Sequence, residues 1–321
     1  MKIMRYGFLI AAVLLSTQGA FAQNYPSKPL TLVVPFAAGG GVDSTARLVA
    51  QQLGKALGQT VTVQNRPGAG MLIGADFVAK AQPDGYTLVV VSSTHVANPS
   101  LFKKMPFHPV EDFTPVTIFG NLTLAIISGP RHSFNTLGDV VKYGKANPGK
   151  LTVGNSDATT ILAGETFKSM AGVDIAQVPY KGGALVATDV MGGHISLGVI
   201  SAAAALPLHK AQSVKILGMT STRRLASLPD VPTVAEAVNL PDYNVQAWLA
   251  LLGPPKMPEP VVRRLQREMA TIMADRATQA RLIEQGVEPV LEMSPERTVT
   301  VMKNEMVNFE KVLKAVGMHP E

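Results

Sequence analysis

The sequence predicts an α/β protein in which mainly parallel sheets are flanked by helices, and three observations predict it. Short apolar runs alternate with segments of helical periodicity along the whole chain, the pattern of repeated strand and crossover-helix units. Glycine-rich or small-residue turns follow several of the apolar runs and open onto the periodic segments. With 321 residues, the chain is long enough for two domains with separate cores. No Pro/Gly/Ser linker marks a boundary, so the chain is expected to cross between domains on strands, near Leu122 to Ile127 and Gln246 to Leu252.

The first element is a targeting segment. Lys2 and Arg5 precede an apolar stretch from Phe8 to Leu15, and Ala20-Phe-Ala22 has the small-x-small pattern of a signal peptidase site. The apolar stretch is too short to span a bilayer. Residues 1–22 are therefore expected to be a signal peptide, and the mature protein to be secreted. The sequence holds no cysteine, which excludes a lipoprotein anchor, disulfides and thiolate metal sites. A freely diffusing exported protein points to the periplasm.

Leu30 to Val34 reads as a buried strand, Gly39-Gly-Gly41 as a turn, and Leu48, Val49 and Leu53 as the apolar face of a helix. The unpaired N–H groups and positive dipole end of a helix that begins on glycine form an anion site. A nucleotide phosphate fits poorly, because Ser44 stands where the third glycine of a dinucleotide loop belongs and no Lys-Ser or Lys-Thr follows. Gly144 to Lys150 has P-loop spacing but sits between a helix and a strand, the reverse of the required order, and reads as a turn on Asn147-Pro-Gly149. A carboxylate is the better occupant.

Further strands are predicted at Val61 to Val63, Thr87 to Val91, Leu151 to Val153, Ile195 to Ile200, Val214 to Met219 and Ala250 to Leu252. Helices are predicted at Ile73 to Ala81, Leu137 to Ala146, Ala184 to Met191, Pro260 to Met273 and Pro295 to Val316. Ligands of parallel sheets bind beyond the carboxyl ends of strands. The loops gathered there supply the candidate ligand-binding residues: Phe36, Ala37, Ala38, Gly39, Gly40 and Asp43; Pro67, Gly68, Ala69 and Gly70; Ser92 and His95; Asn155, Ser156, Asp157, Thr159 and Thr160; Tyr180, Lys181 and Gly182; and Ser201. Several residues also have a structural reading: Asp43 as a helix-start residue, His95 as a loop residue making a structural hydrogen bond, and Trp248, near the second crossing, as core.

Composition narrows the function classes. The formal net charge is +6, and loss of Lys2 and Arg5 with the signal lowers it to +4. No basic run with interleaved aromatics is present, so nucleic-acid binding is not expected. The six histidines show no metal-ligand spacing, and neither metal nor cofactor is expected. No G-x-S-x-G elbow occurs. Ser156 with His95 and Asp157 can be drawn as a hydrolytic triad, which only spatial geometry could support.

A set of motifs then carries a resemblance. Tyr25-Pro-Ser-Lys-Pro-Leu30, Val34-Pro-Phe-Ala-Ala-Gly-Gly40 with Asp43, Asn65-Arg-Pro-Gly-Ala-Gly70, Pro83-Asp-Gly-Tyr-Thr-Leu88, Asp112-Phe-Thr-Pro-Val116, Val178-Pro-Tyr-Lys-Gly-Gly183 and Leu228-Pro-Asp-Val-Pro-Thr-Val-Ala-Glu-Ala237 occur in order along the mature chain. Together they resemble the Bug-type extracytoplasmic solute receptors of tripartite tricarboxylate transporters. The resemblance implies a two-domain Venus-flytrap fold of the periplasmic-binding-protein kind, with residues 23–124 and 249–321 in domain 1 and 125–248 in domain 2. It implies a monomer that captures a small carboxylate and delivers it to membrane permease subunits. A ligand sensor docking on a membrane signalling protein would use the same closure. It further implies that Phe36 to Gly40 and Pro67 to Gly70 hold the carboxylate through backbone groups and waters. This chain departs from the family pattern at Asp157, Ile161, Ser196 and Ser201, so Asn155, Ser156 and Asp157 are expected to set specificity.

Overall fold

The computed structural model describes residues 25–225, 227–315 and 320; the expected signal peptide lies outside them. Among the described residues, ten strands form two connected sheets. In the first, β1 (Leu30–Val34) lies parallel between β2 (Val61–Asn65) and β3 (Thr87–Ser92), and the sheet continues antiparallel through β9 (Gln246–Gly253) to β4 (Thr114–Ser128). In the second, β5 (Leu151–Asn155) lies parallel between β6 (Ile175–Pro179) and β7 (Leu197–Ser201), and β7 and β8 (Lys215–Met219) flank the far half of β4. The short β10 (Val287–Pro289) pairs with β4 in the first sheet. Parallel pairing therefore describes the outer strands of each sheet, where helices return the chain in one direction. Antiparallel pairing enters at the strands that cross between sheets.

The helices are α1 (Gly41–Leu57), α2 (Leu72–Ala79), α3 (Thr94–Ala97), α4 (Leu137–Ala146), α5 (Ala158–Ala171), α6 (Gly183–Gly192), α7 (Ala202–Lys210), α8 (Val234–Val238), α9 (Glu259–Ala274), α10 (Arg276–Glu284) and α11 (Pro295–Ala315). Helix α1 buries Ala46, Leu48, Val49 and Leu53 against the sheet and stops at Gly58, whose φ of 68° provides the left-handed cap. Helix α4 starts on a capping box made by Thr136 and Asp139. Helix α11 buries Met302, Phe309 and Leu313, packs on β4 and α3, and also reaches α5.

The crossings are sharp. Thr123 of β4 pairs with Gln246 in the first sheet, and the next residue, Leu124, pairs with Ser201 in the second. The return crossing lies just before Gln246, since Val245 N–H donates to Thr220 O and β9 then runs wholly in the first sheet. Gln246, Ala247 and Trp248 thus belong to the first sheet and not, as expected, to the second domain; the polar Gln246 hid the start of the strand. Trp248 is buried. Thr220, also buried, ties the two crossings together. Its hydroxyl accepts from Leu124 N at 3.0 Å, its N–H donates to Leu124 O at 3.0 Å, and its carbonyl accepts from Val245 N at 3.1 Å. A short, fully paired double connection of this kind concentrates any relative motion of the sheets into a few backbone angles.

Candidate functional site

A cleft of about 550 Å³ opens where the carboxyl ends of strands from both sheets face each other. Its floor is the pair of crossing strands: Leu122 and Leu124 of β4, Ala247 and Leu249 of β9. The first sheet supplies Phe36, Ala37 and Gly40 after β1, Pro67, Gly68 and Gly70 after β2, and Ser92 at the end of β3. The second supplies Ser156, Asp157, Thr159 and Thr160 after β5, Gly182 after β6, and Ser201 at the end of β7. Volume and apolar floor suit a small organic ligand. A hollow of about 580 Å³ lies between the Pro99–Pro109 segment and α11; it is as large, but no glycine-rich loop opens onto it.

The helices α1, α5, α6 and α7, which begin at the cleft along with α2 and the short α3, begin in two ways. Helix α5 is capped by Asp157, whose Oδ1 accepts from Thr159 N and Thr160 N at 2.9 and 3.0 Å, and α7 by Ser201, whose hydroxyl accepts from Ala204 N. Helices α1 and α6 begin on Gly40 and Gly182, which offer no side-chain acceptor. The first-turn N–H groups of α1, and those of Gly183 and Ala184 in α6, where Leu185 N already donates to Gly182 O at 3.1 Å, therefore keep their hydrogen-bonding capacity for something else. Among the described residues, no Lys, Arg or His side chain lines the cleft. An anion bound there rests on backbone and hydroxyl donors and helix dipoles alone.

The loop ahead of α1 is held from behind. Asp43 is buried just beneath the surface; its Oδ2 accepts from Gly39 N at 2.8 Å and Arg47 Nε at 2.9 Å, and its Oδ1 from Asn65 Nδ2 at 2.7 Å. Asn65 also donates to Phe36 O. Burial pushes the Asp43 carboxyl up, but the bonds from Arg47, Asn65 and Gly39 outweigh it and hold it below the usual carboxylate range. The second loop is strained. Gly68, Ala69, Gly70 and Met71 all have positive φ, and Asn98 Nδ2 fixes it by donating to Gly70 O at 2.8 Å.

Several expected site residues lie off the cleft wall. Asp43 braces the loop, as its helix-start reading implies, and Ala38, Gly39 and Ala69 belong to the two loops without lining the cavity. His95 is fully buried between Phe107 and Phe113, with Nε2 at 2.9 Å from Pro109 O, and burial pulls it down to about 4. That position removes it from any triad, and the Ser156 hydroxyl donates to Asp157 instead. Asn155 is buried and donates to Gln177 Oε1 on the neighbouring strand β6. Tyr180 donates to Asp189 Oδ2 at 2.6 Å; burial and that carboxylate push its phenol up to about 12. Lys181 is exposed outside the cleft. Residues that sequence reasoning missed include Gly41, Val42, Gly183 and the floor residues; the alternation of Ala247 and Leu249 about Trp248 was the available signal.

Asp157 stands apart as the one acidic residue among the described residues of the wall. It is open to the cleft but surrounded by protein on its other sides. That crowding raises its carboxyl above the ordinary value, against the lowering effect of the Thr160, Thr159 and Ser156 hydrogen bonds. Among the described residues, no group of His, Asp or Glu is placed to hold a metal ion, and no helix is long and apolar enough to cross a membrane.

Two α/β sheets joined by crossing strands, with helix starts converging on the cleft between them, define the periplasmic-binding-protein class. Within it, residues 45–318 match the model of the tripartite tricarboxylate transporter family receptor, and the chain belongs to that family. It is 30% identical over 300 residues to Protein BugT of Bordetella pertussis, an alignment covering 92% of this chain and 91% of that protein. Among solved structures it is similar to Rpa4515 of R. palustris with adipate, at 32% identity and a TM-score of 0.83 over 92% of this chain and 100% of that one. MatC of Rhodopseudomonas palustris with bound malate aligns at 28% identity and a TM-score of 0.75, over 90% of this chain and 100% of that one.

Proposed function

We propose that the chain is a periplasmic receptor that captures a small organic acid in the cleft and presents it to the membrane permease subunits of a tripartite tricarboxylate transporter. The observation that carries this reading is the uncapped start of α1 at Gly40, facing a cleft wall free of basic side chains. A carboxylate satisfies first-turn N–H groups that a self-capped helix would have used up. Charge-assisted hydrogen bonds of this kind contribute ~1.5–3 kcal/mol each, and micromolar affinity takes about 8 kcal/mol. A few backbone and hydroxyl donors, with apolar contact to the floor, reach that range without an arginine. The carboxylates bound to Rpa4515 and MatC support the ligand class. The N-terminal targeting pattern supports export.

A thermal-shift screen across organic acids, sugars, nucleotides and inorganic phosphate tests the reading. A ligand at 100 times its dissociation constant adds about 2.7 kcal/mol, so carboxylates are expected to raise the melting temperature by several degrees. Stabilisation by a sugar or nucleotide alone would overturn the proposal. Delivery further requires two lobes that close about Thr123–Leu124 and Val245–Gln246. Small-angle scattering should then show a smaller radius of gyration for the monomer at ligand saturation; an unchanged value means a rigid pocket.

A further inference from the structure

The cleft is chemically lopsided. Each wall carries one uncapped helix start, α1 at Gly40 and α6 at Gly182, but only the second-sheet wall carries a charged side chain, the carboxylate of Asp157, with no Lys, Arg or His among the described lining residues to neutralise it. The hydrogen bonds of Asp157 show which part of it is available. Oδ1 is used up by Thr159 N and Thr160 N, as the cap of α5 requires. Oδ2 has a single contact, the Ser156 hydroxyl at a long 3.3 Å. This oxygen keeps acceptor capacity toward the cleft. Thr160, which might have offered a donor to a second anion, is engaged: its hydroxyl donates to Asp157 O and accepts from Ser156 N and Asp157 N.

Resting on the carboxylate reading above, we infer that the receptor is built for a monocarboxylate whose far end carries a hydrogen-bond donor, a hydroxyl or an ammonium, received by Asp157 Oδ2, and that it discriminates against dicarboxylates. With one carboxylate anchored at α1, a second reaching the far wall meets the partial positive charge of the α6 start but also the full, unneutralised charge of Asp157, and the repulsion between like charges outweighs the weaker helix-end attraction. A donor in the same place gains a charge-assisted bond. Asp157 is thus a specificity-determining residue, and the cap it provides to α5 fixes its orientation.

The test uses matched probes: butyrate, γ-hydroxybutyrate, γ-aminobutyrate and succinate, and the six-carbon set of caproate, ε-hydroxycaproate, ε-aminocaproate and adipate. Each is titrated calorimetrically into the full mature chain, into Asp157→Asn and into Asp157→Ser. Asn and Ser both cap helices well, so fold and α5 are kept while the charge is removed. In the unmodified protein, a donor-bearing probe is expected to bind at least about ten-fold more tightly than the diacid of equal length, and in both variants that preference should shrink to about two-fold or invert. The inference is overturned if a diacid binds as tightly as its donor-bearing partner, or if the variants weaken every probe by one common factor, which would make Asp157 a cap and nothing more. With 1,4-butanediol and 1,6-hexanediol titrated alongside as neutral controls, binding of a diol with no response to any carboxylate would instead bring down the carboxylate reading, and this inference with it.

Discussion

Replacing Gly40 with Asp is expected to abolish carboxylate binding while leaving the fold intact or slightly more stable. Gly40 has φ −75° and ψ 167°, an ordinary extended conformation, and a Cβ there meets only Ala37 O at 3.5 Å. The new carboxylate sits at the N-cap of α1 and takes the first-turn N–H groups for itself, gaining a few tenths of a kcal/mol of stability over glycine. A ligand then has to displace a tethered competitor and approach a like charge. Loss of two charge-assisted bonds lowers affinity by roughly a hundred-fold or more. Gly182 offers the matched control: its φ of 171° is extended, and nothing lies within 4 Å of its Cβ position. Gly182→Asp should reduce affinity by about ten-fold at most if the primary anchor is α1. Calorimetric titration of both variants with the best carboxylate from the screen decides. Unchanged binding in Gly40→Asp would remove α1 from the site.

The second large effect is expected from Asp43→Ala. This substitution strips Gly39, Arg47 and Asn65 of their shared acceptor at once. Because Arg47 is half exposed, its ion pair contributes little by itself. The lost bonds from Gly39 and Asn65 dominate, and the cost is about 2–3 kcal/mol. Loosening of the loop from Phe36 to Gly40 should weaken carboxylate binding as well. The pH dependence gives a signature. The Asp43 carboxyl is held below its ordinary value in the fold, so its contribution to stability is complete above the unfolded value of about 4 and is lost as pH falls toward the folded value. Denaturant melts of the two proteins should therefore differ by a constant amount near neutrality and converge in acid below about pH 4. A gap that stays constant into acid would contradict the network.

How much of this was legible in the sequence follows from what each signal measures. The strand, glycine turn and helix at Leu30 to Leu57 were readable because burial, turn and helical periodicity all agree there, and α4 was readable to the residue. Strand β6 was hidden because Val178-Pro-Tyr180 looks like a loop; Pro179 ends the strand, and burial alternates weakly along it. The same limit applied to the site. Loop membership is a local property and placed Gly40, Pro67, Asp157 and Gly182 at the cleft. Side-chain direction is set by tertiary partners, so it was not readable for His95, drawn under Phe107 and Phe113, or for Tyr180, drawn to Asp189. The distinction between self-capped and uncapped helix starts was partly visible as Asp157 and Ser201 against Gly40 and Gly182. Its meaning emerged only when these starts were seen to share one cleft.

The most direct measurement is a crystal structure of the mature chain grown with the best-binding carboxylate. It is predicted to show the ligand between the two sheets, with carboxylate oxygens about 2.7–3.1 Å from the backbone nitrogens of the first turn of α1 and no lysine or arginine side chain touching them. A carboxylate clamped by a basic side chain, or seated outside the cleft with the α1 start left to water, would contradict the account.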